Sequence, residues 1–233
     1  RVFRSRRSGQ VLALAPAGER FDAQGYMPSE EEPVQPGEWR SILEEGPGWI
    51  RGQAISPLGY GLNAAVTLDL AEWQPALSKG DWVLDMHIPA GGGMEPEAVR
   101  ASWRRAAEFF PRHFPETLPK AYVCWSWIYN PNLGEILPPQ SNLVRNIQEA
   151  YLLPVASSPD DGLSFFFYQD QFDPRTAPRK TSLQRAVLAF LERGGRWRCG
   201  AMFYLLDDLD QLGQRYYQSQ AVYRRQAATA GAS

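Results

Sequence analysis

The chain has 233 residues, 44% of them hydrophobic, 21% charged and 12% aromatic, with eight tryptophans and a formal net charge of −2. This mix excludes a disordered segment, supplies ample apolar surface for a core, and argues against nucleic acid or an anionic membrane as the main partner. No apolar run approaches the roughly 20 residues that span a bilayer. Cys124 and Cys199, each in an apolar run, read as buried reduced thiols, so the expected compartment is the cytoplasm.

Residues 1–80 read as a β-rich front section of one domain. RVFRSRRSGQVLALA suggests two short strands joined at Ser8-Gly9, and ERFDAQGYM a third after the Gly18 break. Arg1, Arg4, Arg6 and Arg7 crowd this start, which lacks an initiating methionine and reads as the C-terminal portion of something longer. The proline-rich, acidic stretch PSEEEPVQPGE reads as an exposed loop. WRSILEE and WIRGQAI flank GPG as a hairpin, VTLDL is a further strand, and LSKGD turns the chain into WVLDMHIPA.

Over residues 81–206 the rhythm becomes strand, helix, strand. WVLDMHI runs through His87 and Pro89 into Gly91-Gly92-Gly93. The next helix places Val99, Trp103, Ala106, Ala107 and Phe110 on one face and Arg100, Arg104, Arg105 and Glu108 on the other. Pro96 suits its first turn, and Pro111 and Pro115 are expected to stop it. KAYVCWSWIY reads as the next strand, parallel to the first. Short helices follow at NPNLGEIL and SNLVRNIQ, the second capped by Ser141, then strands at AYLLPV and SFFFY. Thr181 and Gln184 form a capping box for the helix TSLQRAVLAFLERGG, CGAMFYLL is a late strand, and the tail over 207–233 is expected to fray at its end.

The triple glycine sets the question of function. Three glycines between a strand and a helix N-terminus suit either a turn with unusual backbone geometry or the close approach of an anion. Asp85 and His87, two residues apart on a strand, share a face, and the carboxylate could orient the imidazole as a general base; a histidine bonded within the turn is the plain alternative. On the next strand Cys124 and Ser126 face one way and Trp125 and Trp127 the other. Cys124 near His87 permits a cysteine–histidine hydrolase, or is inert packing. Tyr129 and Tyr151 are candidate proton donors, or half-buried tyrosines with bonded hydroxyls. Arg145 could bind an anion, or pair with Glu149 one turn later.

HIPAGGGMEPEAVRASWRRAAEFFPRHFPE, KAYVCWSWIYNPNLGEILPPQSNLVR and TSLQRAVLAFLERGG together resemble a family of bacterial acyltransferase-domain proteins with a GNAT-like C-terminal region, from about Phe3 to Leu206. The resemblance implies a mixed α/β, GNAT-like acyltransferase fold with a central mixed sheet. Its phosphate-binding pattern, Gln/Arg-x-x-Gly-x-Gly/Ala, falls on Ile88 to Gly93; Gly91 and Gly93 match, and Ile88 stands where the family has Gln or Arg. The implied acyl-CoA site comprises Ile88, Ala90, Gly91, Gly92, Gly93 and Met94, with Arg100 and Arg104 offsetting Glu95 and Glu97, and Ser126 on the facing strand. Acetyl-CoA or a longer acyl-CoA is the implied co-substrate, an amine-bearing molecule the acceptor, and no metal is implied. An N-terminal acyltransferase-like domain is a further implied partner. The alternative is a catalytically silent GNAT-like module that binds a ligand or that domain.

Overall fold

A computed structural model describes residues 1–89, 93–169 and 171–220. The front section is built from β1 (Val2–Ser5), β2 (Val11–Leu14), β3 (Arg20–Phe21), β4 (Trp39–Arg40), β5 (Leu43–Gly46), β6 (Trp49–Ser56), β7 (Tyr60–Asp69) and β8 (Trp73–Leu77). Six of these form a sheet in the order β5-β6-β2-β1-β8, with β7 also paired to β6, while β3 and β4 make a separate two-stranded ladder. The hairpin expected around GPG is β5–β6, turning through Gly48 at φ 80°. β2 is buried along its whole length. Val11 and Ala13 enter the main core and Leu12 and Leu14 a second, smaller one, so its unbroken apolar run fits burial on both faces.

The second half begins with β9 (Val83–Asp85), α1 (Pro96–His113) and β10 (Ala121–Ser126). Next come α2 (Leu133–Ile136), α3 (Asn142–Ile147), β11 (Tyr151–Pro154), α4 (Leu163–Phe167), α5 (Ser182–Glu192), β12 (Gly200–Leu205) and α6 (Tyr216–Ser219). A four-stranded sheet runs β11-β12-β10-β9 and is mixed: β9 and β10 are parallel, as the strand–helix–strand order predicts, and the other pairs are antiparallel. The mixed α/β class read from the sequence is the one observed. Among the described residues no helix is long and apolar enough to cross a membrane.

Three elements depart from expectation. SFFFY is not a strand but α4, closed at both ends by left-handed residues, Gly162 at φ 78° and Tyr168 at φ 56°. Burial of Phe166 against Trp127 and Trp197 and of Phe167 against Phe172 overrides the β preference of consecutive aromatics. Pro111 lies inside α1 rather than ending it: in the last turn it forfeits one amide donor, and the Phe114 amide still reaches the Phe110 carbonyl at 2.8 Å. KAYVCWSWIY leaves strand geometry at Ser126, whose hydroxyl caps a 3₁₀ turn over Trp127–Tyr129. Trp125 and Trp127 therefore do not share a strand face, and of the tail expected over 207–233, residues 221–233 lie outside the described residues.

α1 packs on the four-stranded sheet through Trp103. Its ring stacks on Tyr122 at 5.0 Å and meets Tyr204 at 5.1 Å, and its carbonyl accepts the Tyr122 hydroxyl. Pro96 and Trp103 are the buried residues of the helix. The two sheets are tied by Tyr151, whose hydroxyl accepts from the Ala13 amide at 3.1 Å and donates to the Ile55 carbonyl.

Candidate active site

The parallel ladder between β9 and β10 is short. It runs from Val83 opposite Ala121 to Asp85 opposite Val123, and ends with the Met86 amide donating to the Val123 carbonyl at 2.9 Å. β10 continues to Ser126 on its β12 side, whereas residues 86–89 form no strand beyond the Met86 bond. The divergence opens a cleft of about 570 Å³ lined by His87, Ile88, Gly93, Met94, Cys124 and Ser126, with Trp125, Trp127 and Phe165 around it. Gly200 explains the bend on the other wall: a Cβ built there would meet the Tyr129 carbonyl oxygen at 2.0 Å, so only glycine lets the 3₁₀ turn close over β12.

Ala90, Gly91 and Gly92 lie outside the described residues. The end of that loop is held from α3. Gly93 and Met94 both have positive φ, 62° and 51°, and the second is costly for a residue with a side chain. The Asn142 amide donates to the Gly93 carbonyl at 3.1 Å, and the Asn146 amide to the Met94 carbonyl at 2.6 Å. Glu95 then caps α1 by accepting the Ala98 amide at 2.8 Å, so the helix N-terminus carries its own carboxylate.

The cleft gathers some sequence-predicted residues and leaves others out. His87 is exposed at its wall and makes no hydrogen bond among the described residues. Asp85 is also exposed, but β9 ends there, so strand alternation does not carry over to His87. Both line a groove beneath α1; only His87 reaches the cleft, and only Asp85 reaches a cavity on the opposite sheet face. Ser126 lines the cleft with its hydroxyl accepting the Ile128 amide. Tyr129 is fully buried, and burial followed by the neighbouring Cys124 drives its hydroxyl far above the ordinary tyrosine range. Tyr151 is 1% exposed, with its hydroxyl engaged in the tie between the sheets.

Arg100 turns away from the loop. Its guanidinium pairs with Glu97 at 2.6 Å and with the buried Glu149 at 3.1 Å, and Glu149 also accepts the Gly213 amide at 2.8 Å. Glu149 is thus answered by Arg100 and not by Arg145, the pairing that helical spacing suggested, while Arg104 is exposed on α1. Sequence reasoning missed the clamp of Asn142 and Asn146; the available signal was two asparagines one turn apart in a capped helix following a glycine-rich loop. Trp125, which the sequence placed on the face away from Cys124, is 67% exposed at the cleft.

Cys124 is buried, its Sγ on the Met86 carbonyl at 3.4 Å, and burial followed by the Asp85 charge pushes its thiol up to about 11. Cys199 is likewise pushed up to about 11, by burial and then Asp161. At neutral pH both are thiols, poor nucleophiles for a hydrolase. Because both folded values lie above the ordinary 9.0, their contribution to stability is intact below pH 9 and is lost as pH rises from about 9 to 11. Native protein at pH 8 is therefore expected to resist thiol labelling until denatured, and its Tm to fall over that alkaline window, less so in a Cys124→Ala, Cys199→Ala double variant. Prompt labelling of the native protein contradicts this assignment.

A short parallel pair that splays at its carboxyl ends, beside a glycine loop and a helix N-terminus, defines a GNAT-like acyltransferase fold. The model for the GNAT-like C-terminal domain matches residues 24–203, and the chain belongs to that family. A solved acyltransferase mutant in complex with octanoyl-CoA is 27% identical with a TM-score of 0.51, over 71% of this chain and 47% of that one. An acyltransferase in complex with CoA and 10C-teicoplanin is 33% identical over 53% of this chain and 41% of that one, with a TM-score of 0.49. The chain thus spans under half the length of these structures. Among curated proteins none matches, and among the described residues no group of three or more His, Cys, Asp and Glu could hold a metal.

Proposed function

We propose that the chain forms the GNAT-like part of an acyl-CoA-dependent N-acyltransferase, with the thioester held in the cleft between β9 and β10. One observation carries this reading: the parallel β9–β10 ladder ends after three residue pairs and an open cleft lined by His87, Cys124 and Ser126 follows it, which in this reading takes the pantetheine arm. Family membership and the octanoyl-CoA complex of a structural relative support the donor class. In the proposed reaction Asp85 attracts an acceptor ammonium and His87 takes its proton. The free amine attacks the thioester carbonyl, forming the C–N bond, and a strand amide freed where the ladder ends stabilises the oxyanion. The C–S bond then breaks and CoA leaves as thiolate. The proton that His87 took is the one returned to that thiolate in this reading, because Tyr129 is held protonated by burial and is a weak donor, and the Tyr151 hydroxyl is already engaged on both sides.

The triple glycine holds the pyrophosphate in this reading, residues 1–233 act as a single domain, and an N-terminal acyltransferase-like domain is its partner. Two observations favour a second reading, a silent binding module: Glu95 occupies the helix N-terminus, and Arg100 is turned to Glu149. Thermal shift separates the two. Acetyl-CoA, octanoyl-CoA or free CoA at about 100 times Kd is expected to raise Tm by roughly 5–10 °C. Gly92→Glu, which adds a negative charge to an anion-binding loop, is expected to abolish that shift. No response to any CoA species at saturation leaves the silent module as the reading.

A further inference from the structure

Resting on the acyl-CoA reading, we propose that the acceptor is a zwitterion, an apolar amino acid or short peptide with its ammonium end at Asp85 and its carboxylate end on Lys79. Both side chains stand on one cavity of about 540 Å³, a volume that suits a small-molecule site. The cavity lies on the sheet face turned away from α1, as strand alternation requires. Tyr122 and Tyr204, paired across β10 and β12, point to Trp103 of α1, so Val123 and Phe203, also paired, point the other way. Asp85 is opposite Val123 in the parallel ladder and shares its face. One step along, Trp125 faces Ala201, and Ala201 faces Leu153, in a single row across three strands. The residues on this face line the cavity, and so does Lys79, which sits in the turn closed by the Asp81 amide on the Ser78 carbonyl at 3.2 Å.

The charges around the cavity decide what it takes. Two of them are answered within the protein: Arg1 pairs with Glu45 at 2.6 Å and Asp81 with Lys120 at 2.8 Å. Among the described residues the side chains of Lys79 and Asp85 have neither an ion pair nor a hydrogen bond. The floor they flank is apolar, formed by Val123, Leu153 and Phe203. One open cation and one open anion beside such a floor match a molecule that carries both charges on an apolar body. A plain aliphatic amine would leave Lys79 unanswered. Cys124 and Trp125 line both this cavity and the donor cleft, so an amine at Asp85 stands at the junction with the thioester. There the ammonium gives one proton to His87, and its nitrogen forms the C–N bond and sheds a second proton to water. The C–S bond breaks, and CoA takes the proton from His87.

Release of CoA from acetyl-CoA tests this, with leucine and leucyl-leucine as acceptors, each beside its C-terminal amide. For at least one of the two, the wild type is expected to show a kcat/KM about fivefold or more higher for the free acid than for the amide. Lys79→Ala is expected to bring that ratio to about one, and Lys79→Glu to invert it. Lys79 is exposed, so neither substitution disturbs the core. Calorimetric titration of the same four acceptors onto the CoA-loaded chain reads the ratio as Kd, which decides the matter where turnover is undetectable. Parity of acid and amide in the wild type, or an acid preference that survives both substitutions, overturns the inference. If CoA species bind and none of the four acceptors is acylated or bound, this inference fails alone. If no CoA species binds, the acyl-CoA reading fails and takes the inference with it.

Discussion

Replacing Glu149 by alanine is expected to lower stability by about 3–5 kcal/mol, a fall in Tm of roughly 6–20 °C for a chain of this size. Glu149 is 6% exposed and joins three parts of the fold: the Arg100 guanidinium of α1, the amide of Gly213, and its own position after α3. Removing it leaves Arg100, whose side chain is 16% exposed, with Glu97 alone, a residue on the solvent side. Among the described residues the Arg100 Nε has no hydrogen-bond partner either. The asymmetry of buried pairs makes the effect large, because breaking one strands a charge, whereas replacing both members need not. Arg100→Leu with Glu149→Leu is accordingly expected to be more stable than Glu149→Ala alone. Calorimetric unfolding of the wild type and the two variants decides the matter, and a cost below about 1 kcal/mol for Glu149→Ala shows that the pair does not hold α1.

Trp103→Ala is expected to cost about 3–5 kcal/mol, with its effect concentrated on α1. Of the 18 residues of that helix, Pro96 and Trp103 are the buried ones, and Trp103 makes the aromatic contacts with Tyr122 and Tyr204. Without that ring the helix loses its main anchor on the sheet, while β10 and β12 keep their ladder. Hydrogen exchange is expected to show amides across 96–113 losing protection ahead of those in 121–126 and 200–205. The exposed Trp82, at 60%, provides the control: Trp82→Ala is expected to change stability by less than about 0.5 kcal/mol. Uniform loss of protection across helix and sheet would contradict the assignment of Trp103 to α1 docking.

Much of the fold was legible locally. GPG between two β-prone runs is the turn of the β5–β6 hairpin, and Thr181 with Gln184 forms the capping box of α5 as read. The parallel β9–α1–β10 unit followed from two apolar runs around one amphipathic helix. Each signal depends on residues within a turn or two of one another, where backbone geometry and short-range capping decide the outcome. SFFFY shows the limit: its strand preference lost to the burial of Phe166 against Trp127 and Trp197, rings distant in sequence.

The candidate site divides along the same line. Sequence alone determined that a glycine- and proline-broken segment, bearing Asp85 and His87, joins a strand to a helix beside a second apolar strand. Tertiary structure decided what each polar group does. Tyr151 bonds to Ala13 across 138 positions, Arg100 reaches Glu149 across 49, and Asn146 holds Met94 across 52. It also put Trp125 at the junction of a cleft and a cavity instead of in the core. The physical reason is that a buried donor or acceptor takes whichever partner packing brings within bonding distance, and over such separations that choice belongs to the assembled sheets, not to any local pattern.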